Sequence, residues 1–96
     1  MDKKEEYLDY IQGKLNEKFK KIQINDAEFY VLPNQVVFHI AFMKFGGENN
    51  AFVIEFADDE NEAKRNNTDD GDLYYLSEWT PEKMFLEMMK EIENEM

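Results

Sequence analysis

The chain is predicted to be an α+β domain. It has a helix at each end, a three- to four-stranded antiparallel sheet between them, and an acidic loop before the closing helix. Three observations carry this expectation. Apolar residues recur every three to four positions over residues 2–21 and again after Thr80-Pro81. From Ile22 to Ala57 they alternate with a period of two. The runs within that stretch are joined by connections too short for a parallel crossover.

The opening helix rests on Leu8, Ile11, Leu15, Phe19 and Ile22. Asp2 with Glu5 three residues later is a capping-box variant, and Lys14, Lys18 and Lys21 complement the dipole at the C-terminal end. Gly13 sits mid-helix, at a cost of about 1 kcal/mol relative to alanine. Asn25-Asp26 is a turn pair, Glu28–Leu32 a strand, and Pro33-Asn34 a hairpin connection. Gln35–Phe45 is the strongest strand, with Val36, Phe38, Ile40 and Phe42 on one face and Val37, His39, Ala41, Met43 and Phe45 on the other. Two apolar faces imply cover on both sides, or cover on one side with the other open to a partner, including a second copy in a homodimer.

Gly46 to Asn50 reads as a loop and Ala51–Ala57 as the next strand. Residues 58–72, DDENEAKRNNTDDGD, are polar throughout; Asp59 and Glu62 suit a short helical turn around Asn61–Asn66, and Asp69-Asp70-Gly71-Asp72 suits a turn. Leu73–Leu76 follows as a short edge strand. Thr80-Pro81 is a helix start, and Phe85, Met88, Met89, Ile92 and Met96 form its apolar stripe. The 96 residues suit one domain over 1–96, without repeat or linker.

Composition narrows the function. There is no cysteine, which removes disulfide scaffolds, thiolate metal sites and cysteine nucleophiles. No apolar run approaches a membrane span, and MDKKEEYLDY does not read as a signal peptide, so a cytoplasmic location is expected. The formal net charge is −11, which argues against nucleic acid as a direct ligand. That charge is unevenly spread: residues 1–50 hold eight acids and seven bases, whereas residues 51–96 hold fourteen acids and four bases. Asymmetry of this kind points to an interaction surface, with a solvated acidic face as the simpler alternative.

Catalytic signals are sparse. His39 is the sole histidine and Ser77 the sole serine, with no elbow-type glycine context around it. Gly46-Gly47 is not a phosphate loop. The window from Asn66 to Ser77 places Gly71 at the turn position of an EF-hand, with Asn66, Thr68 and Asp70 as first ligands, but Ser77 stands where the bidentate glutamate belongs. No cofactor or metal is expected, and the chain does not read as an enzyme.

Two bundles of carboxylates remain. One comprises Asp58, Asp59, Glu60, Glu62, Asp69, Asp70 and Asp72; the other comprises Glu82, Glu87, Glu91, Glu93 and Glu95 of the last helix. Glu91, Glu93 and Glu95 fall where the helix dipole disfavours anions by a few tenths of a kcal/mol. Tyr74, Tyr75 and Trp79 lie between the bundles as candidate interface anchors; the competing account has Tyr75 and Trp79 closing the core beneath the last helix.

In size, charge and layout the chain resembles the small acidic inhibitors encoded by phages and mobile elements, including anti-CRISPR proteins and other DNA mimics. Several of those combine a small antiparallel sheet with flanking helices. The resemblance transfers no residue by identity. The expectation is a binding protein that occupies a basic, nucleic-acid-binding surface of a partner, such as that of a nucleic-acid enzyme. Asp58, Asp59, Glu60, Asp69, Asp70 and Asp72 would be its partner-binding acids, with Tyr74 and Trp79 as anchors. Alternatives are an immunity protein that neutralises a co-encoded toxin, or a small cytoplasmic interaction domain.

Overall fold

The computed structural model describes residues 3–46 and 49–96. The cap expected at Asp2, and Gly47 and Glu48 of the expected loop, lie outside the described residues. Helix α1 spans Lys3–Lys18 and buries Tyr7, Ile11 and Leu15, spaced at four. It stops earlier than the sequence period implies because Lys20–Ile24 forms strand β1. Lys20 to Ile24 pair with Val31 to Ala27 of β2 (Ala27–Val31). Lys21 therefore leaves the helical face assigned to it and meets Glu28 across the ladder at 2.6 Å. Asn25 and Asp26 turn the chain with φ of 48° and 67°, the left-handed pair that a type I′ hairpin requires.

Strands β3 (Val37–Met43), β4 (Ala51–Ala57) and β5 (Asp69–Tyr75) complete a five-stranded antiparallel sheet whose spatial order equals chain order. The sheet thus has more strands than the three or four expected. Helix α2 (Glu60–Lys64) is capped by Asp59, whose Oδ1 accepts from the Glu62 N–H at 2.9 Å. Strand β5 begins in the acids, where a turn was expected. Asp69 registers with Phe56 and Asp70 with Glu55. Pairing with β4 satisfies these backbone groups and outweighs the turn preference of the Asp-Asp-Gly-Asp stretch.

The two faces of the sheet are covered differently. Phe38, Phe52, Ile54, Phe56 and Tyr74 share one core with the buried residues of α1 and with Met84, Phe85, Met88 and Ile92 of α3 (Pro81–Asn94). Aromatic rings cross the strands within it: Tyr30 stacks on Phe38 at 5.4 Å, and Phe19 meets Phe38 edge-on at 5.8 Å. Thr80 caps α3 by accepting from the Lys83 N–H, with Pro81 in the first turn. The Tyr7 hydroxyl donates to the Trp79 carbonyl and so ties α1 to the segment that enters α3.

On the opposite face, α2 covers one end, where Ile24, Phe29, Val37, Ala57 and Ala63 form a smaller cluster. Among the described residues no helix covers the far end, where Met43 and Tyr75 are half-buried and Phe45 and Leu73 are exposed. No helix among the described residues is long and apolar enough to cross a membrane.

Two positions on α1 have opposite expected signs. Ile11 is fully buried, so Ile11→Ala should lower the unfolding free energy by about 2–5 kcal/mol. A Cβ at Gly13 would meet nothing within 4 Å, so Gly13→Ala should raise it by up to about 1 kcal/mol. Urea denaturation of the two variants checks both signs.

Candidate functional site

Four acids of the second half, Asp72, Glu78, Glu87 and Glu91, come together where edge strand β5 passes α3. The register of β4 and β5 shifts between Val53 and Glu55, so β5 carries an irregularity around Gly71 and Asp72. A Cβ at Gly71 would overlap the Glu91 carboxylate. The bare glycine therefore lets that carboxylate reach the strand backbone. Glu91 Oε2 accepts from the Asp72 N–H at 3.0 Å, and Oε1 accepts from the Tyr74 hydroxyl at 2.6 Å. One side chain thus joins helix to strand.

Beside this join lies a cleft of about 460 Å³. Asp72, Glu78, Glu87 and Glu91 line it together with Trp79, and Lys90 is the one cationic residue among the lining groups. Lys90 Nζ sits 3.0 Å from Glu87 Oε1, an exposed i,i+3 pair of small energetic weight. Tyr74 forms the buried floor, with its ring 6.5 Å from that of Trp79. Burial, followed by the hydrogen bond to Glu91 and then the charges of Glu91, Asp72 and Glu87, holds the Tyr74 hydroxyl well above its ordinary pKa. It therefore stays a proton donor across the physiological range.

The expected site residues are distributed as follows. Asp72, Tyr74 and Trp79 come together in the cleft. Tyr74 is a core residue, and Trp79 packs half-buried at the margin of the same core. Asp69 and Asp70 are exposed on the same edge strand, about 10 Å and 7 Å along it from Asp72. Asp70 lies directly opposite Glu55, on the sheet face away from the large helices. Asp58 follows β4, Asp59 caps α2, and Glu60 pairs with Lys64 at 3.5 Å. Asp58, Asp59 and Glu60 are absent from the cleft lining, whereas Glu78, Glu87 and Glu91 join it. The i,i+4 spacing of Glu87 and Glu91 was the available signal; which face of the helix meets β5 was not.

No family model matches the chain, and no curated protein or solved structure shows significant similarity to it.

A second cleft, of about 390 Å³, opens on the other face beneath α2. Its floor holds a cross-strand pair: His39 and Glu55 are register partners, and His39 Nε2 lies 2.5 Å from Glu55 Oε1. The Phe29 ring sits 4.5 Å from the imidazole and fixes its plane. A carboxylate that orients an imidazole is one part of an acid–base site, which also needs a nucleophile or substrate group within reach. Ser77 does not supply it, because Ser77 lines a different cleft with Phe45 and Tyr75. Asn66, Thr68 and Asp70, assigned above as trial calcium ligands, run into and along β5, and no group of three acidic or histidine ligands suited to a metal occurs among the described residues.

The Tyr74–Glu91 bond fixes the sign of an alkaline effect. The folded pKa of Tyr74 is raised above its unfolded value near 10, so its contribution to stability is complete below pH 10 and is lost as pH rises above it. Tyr7 and Tyr30 are also raised and add to the slope. Between pH 10 and 11, where the unfolded tyrosine goes from half to mostly deprotonated, Tyr74→Phe should make the decline in unfolding free energy shallower by about 1 kcal/mol over that pH unit. Urea titrations at stepped pH check this.

Proposed function

We propose that this chain is an acidic binding protein that occupies a basic, nucleic-acid-binding surface of a partner protein. The observation that carries the reading is the β5–α3 cleft, where four carboxylates and one ammonium surround Trp79. Asp69 and Asp70 add negative charge farther along β5, Asp70 from the other face of the sheet. Carboxylates on a fixed strand and helix present charge to lysine and arginine as a phosphate backbone does, with the geometry already set before contact. Trp79 is half-exposed and amphipathic, the kind of residue that anchors interfaces. A chain of net charge −11 is itself repelled by nucleic acid, so the partner is a basic protein and the nucleic acid is the competitor.

The reading assigns no turnover. The His39–Glu55 pair lies on the other sheet face and is not needed for partner binding. Its cross-strand contact is of the kind that stabilises a sheet.

The immobilised protein should retain a basic partner from lysate of the source cells at low salt and release it steeply as salt rises or when duplex DNA is added. Asp69→Lys/Asp70→Lys/Asp72→Lys should abolish retention, while His39→Ala should leave it intact. All three aspartates are exposed, so thermal unfolding of the triple variant should stay near that of the unchanged protein. Retention unaffected by the triple substitution, or insensitive to salt and DNA, would remove the assignment.

A further inference from the structure

Helix α3 carries one large apolar side chain that its core does not use. Met84, Phe85, Met88 and Ile92 are its buried residues, whereas Leu86 stands 60% exposed. Leu86 lines a groove of about 370 Å³ with Trp79, Met89, Lys83, Lys90 and Glu93. The groove and the acidic cleft meet: Trp79, Glu87 and Lys90 line both. Crossing Trp79, the surface passes from apolar contact to a concentration of carboxylates within one side chain's width.

A surface that only replaced phosphates would have no use for an exposed leucine beside its tryptophan. Resting on the reading given above, we infer that this combined surface docks a short basic segment of the partner protein bearing a large aliphatic side chain next to arginine or lysine. The aliphatic group enters the groove against Leu86, Met89 and one side of Trp79. The neighbouring guanidinium or ammonium lies on the acidic side, where Asp72 and Glu87 accept its hydrogen bonds and the indole face offers a cation–π contact. Charge complementarity selects a basic segment, and the groove requires that the segment also be apolar at one position. Nucleic acid satisfies neither condition.

Trp79 is the sole tryptophan, so its emission reports occupancy directly. The probes are two synthetic ten-residue peptides, each with four arginines, one bearing leucine at the centre and the other serine. The leucine peptide should shift Trp79 emission and bind on the order of tenfold more tightly than the serine peptide, in line with burial of one aliphatic side chain. Leu86→Ser should bring the two peptides to within about twofold of each other. Asp72→Asn/Glu87→Gln should weaken both peptides and preserve their ratio. Equal binding of the two peptides, or a leucine preference that survives Leu86→Ser, overturns the inference and leaves the charge-based reading standing. If neither peptide binds at low salt, both readings are overturned. Circular dichroism of each variant confirms that the fold is retained.

Discussion

The Glu91 carboxylate joins the edge strand β5 to the last helix α3. It lies in the C-terminal half of α3, where the helix dipole opposes an anion by a few tenths of a kcal/mol. Against that stand two hydrogen bonds, from the Asp72 amide and the Tyr74 hydroxyl. Bonds to a charged acceptor each contribute about 1.5–3 kcal/mol, so the join is favourable by a wide margin. It is available only because position 71 is glycine. Residues far apart in sequence thereby fix one spacing, that between the edge strand and the last helix, and this spacing creates the cleft.

Like charges follow from the same arrangement. Asp72, Glu87 and Glu91 are held near one another while the neighbouring surface opens to water. Solvent screens their repulsion in the free protein. In the proposed complex, a cationic partner would neutralise these carboxylates and relieve the repulsion that screening leaves. The acids on β5 have a further consequence. An exposed edge strand is a template for unwanted pairing, and charged side chains along it oppose that.

The sequence was most legible where one period dominated. Thr80-Pro81 and the Phe85–Ile92 stripe placed α3, and the double apolar alternation of β3 placed the centre of the sheet. Strand β1 was only partly legible: the period of two was visible from Ile22, but Phe19 and Ile22 also continue the helical spacing of α1 and hid its first residues, Lys20 and Lys21. The start of β5 was hidden because an Asp-Asp-Gly-Asp stretch has the local chemistry of a turn, and only the backbone of Glu55 and Phe56 makes it a strand. Trp79 and Asp72 were legible as site residues through composition alone. Tyr74, read as an anchor, is the buried floor beneath Trp79, and Tyr75, read as core cover in the competing account, is half-buried. The role of Glu91 was not legible, since it depends on a strand irregularity that brings Gly71 under α3. Its position against the helix dipole did mark it as a residue with a cost to offset.

The His39–Glu55 pair and the β5–α3 cleft lie on opposite sides of the sheet, so a footprint separates the surfaces. Amide hydrogen exchange, measured on the protein alone and in complex with its captured basic partner, tests the account most directly. It predicts slower exchange in β5 and in the segment from Trp79 through α3, with β1 and β2 unchanged. Slower exchange confined to the α2 face around His39, or to the β1–β2 hairpin, would contradict it.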